Sequence, residues 1–139
     1  GGRVVCFIML NPSTADADID DPTIRRCVGF GKSWGYDALE VVNLFAWRET
    51  EPKFLITPSD PIGPDNDGAI LEASGRAELV VCAWGSHALA VWRSSYVSEM
   101  LRARPLHCLG TTKNGQPKHP LYISGSQQPV VWQAEAPND

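Results

Sequence analysis

The run Arg3-Val-Val-Cys-Phe-Ile-Met-Leu10 constrains this chain more than any other segment. Its apolar residues do not alternate with polar ones, which favours a strand buried on both faces over a half-exposed one. Such strands are usual in parallel sheets covered by helices. The run stops at Asn11-Pro12. Proline removes a backbone donor and restricts the residue before it, while Asn, Ser and Thr satisfy backbone groups in a turn. The segment Asn11-Pro-Ser-Thr-Ala-Asp16 therefore reads as a strand-end loop.

The remaining elements alternate in period. Asp21-Pro22 offers a cap and a first-turn proline for a helix on which Ile24, Cys27, Val28, Gly31 and Trp34 recur, and Gly35 ends it. Leu39 to Phe45 reads as a second strand and its mouth. Trp47 to Gly63, with three prolines, reads as a long surface excursion. Asp65-Asn66-Asp67 is a capping cluster for a second helix with Ile70, Leu71 and Ala73 inward. Glu78 to Trp84 is a third strand, broken by Gly85-Ser86-His87. A third helix follows, with Leu89, Trp92, Tyr96 and Met100 on its apolar face and Arg93, Glu99 and Arg102 toward solvent. Leu106 to Leu109 is the last strand, with His107 alternating toward solvent, and Gly110 to His119 is a polar connection.

This alternation predicts an α/β fold in three layers: a mostly parallel sheet with helices on both faces. The 139 residues suit one domain over 3–134, with 135–139 a mobile tail. With 43% hydrophobic and 20% charged residues, the composition argues against disorder, and no apolar run is long enough for a membrane span. No secretory or lipidation signal is visible, so a cytoplasmic location is expected. A net charge of −4 lacks the footprint of general nucleic-acid binding and restricts any such contact to a local patch. The spacing of Cys6, Cys27, Cys82 and Cys108 is not that of a zinc site, and buried thiols are expected.

Strand-end loops of open α/β sheets converge on a crevice. Here they carry Asn11 to Asp16, Asn43 to Arg48, Trp84 to His87 and Thr111 to His119. The Asn11 and Asn43 amides can each donate and accept, which suits placing a water or reading an amide edge; loop capping is the simpler alternative. Asp16, Asp18, Asp20 and Asp21 match no cation-loop spacing, so no metal is assigned and a helix cap is favoured. His119 can give a proton to a leaving group, accept one, or bind backbone. Trp84 and Phe45 offer stacking faces and His87 polarity, with core packing the alternative for Trp84. Arg48, Lys113 and Lys118 are basic candidates for phosphate contact. Phosphate-loop and dinucleotide glycine patterns are missing from the chain, and Gly85-Ser-His87 is not a nucleophile elbow, so no cofactor is assigned.

The chain closely resembles the DUF1643 family through Phe7-Ile-Met-Leu-Asn-Pro-Ser-Thr-Ala-Asp16, Asp21-Pro-Thr-Ile-Arg-Arg-Cys27, Val42-Asn-Leu-Phe-Ala46, Ala83-Trp-Gly85 and Lys118-His-Pro-Leu-Tyr122. More remotely it resembles the uracil-DNA glycosylase superfamily through its Asn-Pro loop, a later strand-end Asn, Trp84-Gly-Ser-His-Ala88 and His119-Pro120. It departs from that pattern at Ser13 and at Leu121. The second resemblance implies a glycosylase-like fold and an N-glycosidase acting on DNA or a nucleotide. It implies Asn11 for the attacking water, Asn43 for the flipped base and His119 for the leaving group, with Asp16 as a further candidate for the water. A noncatalytic base- or nucleotide-binding module and a structural protein-interaction domain are the alternatives. DNA, a nucleotide or a protein are thus the candidate partners, and a membrane is not.

Overall fold

The apolar run at the amino end forms β1 (Val4–Met9), and from Val5 to Leu10 every side chain is buried. The computed structural model describes residues 2–10, 22–45 and 65–133. The expected tail at 135–139 and the excursion after Phe45 lie outside them. After β1 come α1 (Pro22–Ser33), β2 (Ala38–Asn43), α2 (Asn66–Arg76), β3 (Leu79–Cys82), α3 (Ala88–Met100), β4 (Leu106–Cys108) and β5 (Val130–Trp132). The result is a mixed α/β fold around one five-stranded sheet of order β2-β1-β3-β4-β5. The first four strands run parallel; β5 pairs antiparallel with β4.

Alternation along β1 divides the core. Val5, Phe7 and Met9 pack with Cys27 and Phe30 of α1, whereas Cys6, Ile8 and Leu10 pack with Ile70 and Ala73 of α2 and Ala90 and Val97 of α3. Helices thus cover opposite faces. The reason lies in the strand order: the chain leaves β1 in one direction to make β2, then returns past β1 to make β3. Crossovers of one hand put successive helices on opposite faces when the direction reverses. Pro22 opens α1 at a position where its missing N–H costs nothing. Gly35, at φ 86°, closes it: its N–H donates to the Lys32 carbonyl and the Tyr36 N–H to the Gly31 carbonyl. This paired closure needs a left-handed residue, which glycine supplies without strain. All four cysteines are buried free thiols, as expected, and burial pushes the Cys6 thiol up to about 12.

Several faces differ from expectation. On α3 the inward residues are Ala90, Arg93, Ser94 and Val97, while Trp92 and Tyr96 are 62% and 57% exposed. Arg93 is buried, not solvent-facing. Ala90 and Val97 join the core cluster, and the aromatic side chains lie along the flank of α3, where Trp92 stacks on Phe45 at 6.2 Å. On α2, Leu71 is exposed and Ser74 takes an inward place. On α1, Phe30 supplies the deepest aromatic contact with the sheet. His107 is partly buried, its Nδ1 lacks a hydrogen-bond partner among the described residues, and burial together with Arg104 pushes its pKa down. Strand β5, a three-residue edge strand after Pro129, was not expected.

Candidate functional site

The reversal between β1 and β3 creates a topological switch point, and in open parallel sheets ligands bind beyond the carboxyl ends of the strands there. Pairing persists to that edge. Leu44 N–H donates to the Met9 carbonyl at 2.8 Å, Phe45 N–H to Leu10 at 3.1 Å, and Ala83 N–H to Ile8 at 2.8 Å. These bonds fix where the loops leave the sheet. Asn11, Asp16 and Arg48 lie outside the described residues, as do Asp18, Asp20 and Asp21.

At the end of β3 the chain turns at Gly85, whose φ is 81°. Its N–H donates to the Pro117 carbonyl at 2.9 Å. Residues 110 to 118 fold back on themselves through a Thr111–Pro117 bridge and a bond from Lys118 N–H to the Gly110 carbonyl. Trp84 locks the same segment, donating its indole N–H to Gln116 Oε1 at 3.0 Å and meeting Trp132 edge to face at 5.3 Å. His119 is thereby held against the turn: a Cβ placed on Gly85 would be 3.9 Å from the His119 Cβ. Gly85→Ala introduces no clash but forces an L residue into a left-handed conformation. We expect a loss of about 1 kcal/mol in urea unfolding, with Gly85→Asn losing less; equal stability of the two variants and the parent would show that this turn is not constrained.

His119 is partly buried, and its Nδ1 accepts the Leu121 N–H at 3.2 Å. An accepting Nδ1 leaves the proton of the neutral ring on Nε2, which makes Nε2–H a donor. His87 is engaged in the same way, its Nδ1 accepting from Leu89 N–H as the cap of α3. The sequence offered His87 as a polar group and gave no sign of that capping bond.

Asn43 closes β2 in register with Met9 and is half-buried. Its carbonyl and that of Leu44 both accept from the Asn66 amide, at 2.8 and 2.9 Å. The Leu44 carbonyl also receives Arg93 Nε at 2.9 Å, and Arg93 Nη2 donates to Asp67 Oδ1 at 2.6 Å. The expected capping cluster therefore serves tertiary contacts: Asp65 makes no side-chain capping bond, Asn66 ties α2 to the end of β2, and Asp67 ties it to Arg93 of α3. Arg93 was missed as part of this arrangement because hydrophobicity pointed to the aromatic flank of α3; the small residues Ala90 and Ser94 were the available signal.

The structure brings Asn43, Trp84, Gly85 and His119 to one edge of the sheet, with β1 between Asn43 and the His119 side. Phe45 and Trp84 are fully buried there, so their rings support the loops from below. Lys113 and Lys118 are exposed, and the Lys118 stem passes Gly110. Tyr122, in the Lys118-to-Tyr122 segment, is 99% exposed with φ 70°. Among the described residues no group of three His, Cys, Asp or Glu side chains is placed to hold a metal. No helix among them is long and apolar enough to cross a membrane.

Comparison by sequence finds a match to the family model described as protein of unknown function (DUF1643), over residues 1–121. No curated protein and no solved structure matches the chain.

Proposed function

This chain belongs to the DUF1643 family, and we propose that it hydrolyses the N-glycosidic bond of a base-containing substrate, DNA or a nucleotide, on a uracil-DNA glycosylase-like arrangement of its loops. The observation that carries this reading is the His119 ring beside Gly85, with Nδ1 accepting a backbone N–H, which puts the proton of the neutral ring on Nε2. When the C–N bond breaks, its electron pair goes to the base. A donor aimed at a base oxygen stabilises that charge as it develops. Water attacks the sugar carbon, with Asn11 and Asp16 assigned to position it. Asn43 reads the base edge, supported by Phe45, Trp84 and His87, and Arg48, Lys113 and Lys118 meet phosphates. A flipped nucleotide is the form in which a duplex base reaches such a crevice. The four buried thiols suit a reducing, cytoplasmic setting.

A panel of nucleosides, nucleotides and modified oligonucleotides, incubated with the full chain and read by mass spectrometry, tests this directly. Release of a free base with the sugar or sugar-phosphate intact is the expected result. Reproducible binding without base release makes the chain a base- or nucleotide-binding module. A second reading, a protein-interaction domain, is favoured by a separate observation: Trp92 and Tyr96 stand exposed beside Val91 on α3. It becomes the better account if the panel gives neither turnover nor binding.

A further inference from the structure

The loop that carries His119 leads directly into a second polar feature. Arg26 Nε faces the Pro120 carbonyl at 3.5 Å, and the Arg26 guanidinium lies 5.0 Å from the centre of the Phe30 ring. These two contacts hold the side chain across α1 and orient its fork. Beside it is a depression of ≈ 150 Å³ lined by Arg25, Arg26, Gly29, Phe30 and Gly125. That is several times the ~30 Å³ share of one water molecule, which leaves room for a tetrahedral anion with part of its hydration.

We propose that this depression is a phosphate subsite, in which Arg25 and Arg26 receive a phosphate group of the substrate. Assigning the phosphate to a substrate rests on the glycosidase reading; the binding of phosphate itself does not. Two features support the site. A guanidinium is planar and permanently charged, and its parallel N–H groups match phosphate oxygens. The walls carry little bulk: a Cβ at Gly29 would meet nothing within 4 Å, and one at Gly125 would lie 3.9 Å from Arg26 Nη1. Because Pro120 follows His119, a base at His119 and a phosphate at Arg26 would belong to neighbouring parts of one nucleotide. A chain of net charge −4 thus places two cations where a phosphate would approach the proposed leaving-group donor.

Titration of the ¹⁵N-labelled full chain with inorganic phosphate, against sodium chloride at matched ionic strength, tests the subsite. The Gly29 and Gly125 amides and the Arg25 and Arg26 Nε signals are expected to shift saturably with phosphate alone. Arg26→Gln should weaken phosphate binding about tenfold, the loss of one charge-assisted contact. Gly29→Glu should do the same with both arginines in place, by setting a carboxylate one turn from them; glutamate favours a helix over glycine, and the position is open. No saturable shift, an equal shift in chloride, or unchanged affinity in both variants would overturn the subsite. A second arm compares hydrolysis of a nucleoside and its 5′-monophosphate. A lower KM for the monophosphate, lost in Gly29→Glu, is expected. Phosphate binding with neither compound hydrolysed removes the glycosidase reading and keeps the anion site; hydrolysis of both with equal KM removes the substrate role of the subsite and keeps the glycosidase.

Discussion

Asp67→Ala is expected to lower the unfolding free energy by about 3 kcal/mol, and to cost more than Arg93→Met at the other end of the same ion pair. The asymmetry follows from burial, because the Arg93 side chain is 2% exposed and that of Asp67 39%. Removing Asp67 leaves a buried guanidinium without its counter-charge. Removing Arg93 leaves a carboxylate that water can reach, and a Leu44 carbonyl that still accepts from Asn66. Methionine also fills much of the volume. We expect about 1–2 kcal/mol for Arg93→Met, mostly from the lost bond to Leu44. The double variant should cost less than the sum of the two, since the unpaired charge is gone. Urea unfolding of the four proteins gives this cycle directly. If Arg93→Met proves the costlier change, the pair contributes through the backbone contact alone.

His119→Ala is expected to slow base release by about a hundredfold or more, the usual contribution of a positioned acid or base. The loss should fall on the chemical step, with KM for the substrate little changed. Stability should change far less: the loss of the acceptor for the Leu121 N–H costs about 1 kcal/mol. Single-turnover rates at saturating substrate, read beside a urea curve, separate the two effects. A well-folded His119→Ala protein releasing base at the full rate would remove His119 from the chemistry, whatever its neighbours do. Asn11→Ala, by contrast, should impair positioning of the water while leaving binding intact.

Long elements with a strong period were legible in the chain. The unbroken run before Asn11 meant a strand covered on both faces, and Gly35 marked the end of α1 because only a left-handed residue closes a helix that way. Orientation within an element was less legible. On α3, hydrophobicity selected Leu89, Trp92, Tyr96 and Met100, whereas the buried face carries Ala90, Arg93, Ser94 and Val97. Burying Arg93 there depends on Asp67 and the Leu44 carbonyl, residues 26 and 49 positions away. No local window contains that information. The two histidines of the site show the same limit: their neighbours in sequence mark loops, but which ring nitrogen accepts a backbone N–H is a matter of geometry.

What the sequence by itself determined was the succession of the first four strands and the three helices, the buried thiols and the positions at which the sheet opens into polar loops. These follow from short-range rules: side-chain period, the missing N–H of proline and the backbone freedom of glycine. Only the tertiary structure decided that β1 lies between β2 and β3, that β5 joins the edge in the opposite direction, and that the Gly85 turn faces His119. Those choices depend on contacts between residues far apart in the chain, where the gain comes from burying complete faces and pairing polar groups in three dimensions. A strand's own residues record that it must be covered, and leave its neighbours to be selected by the rest of the fold.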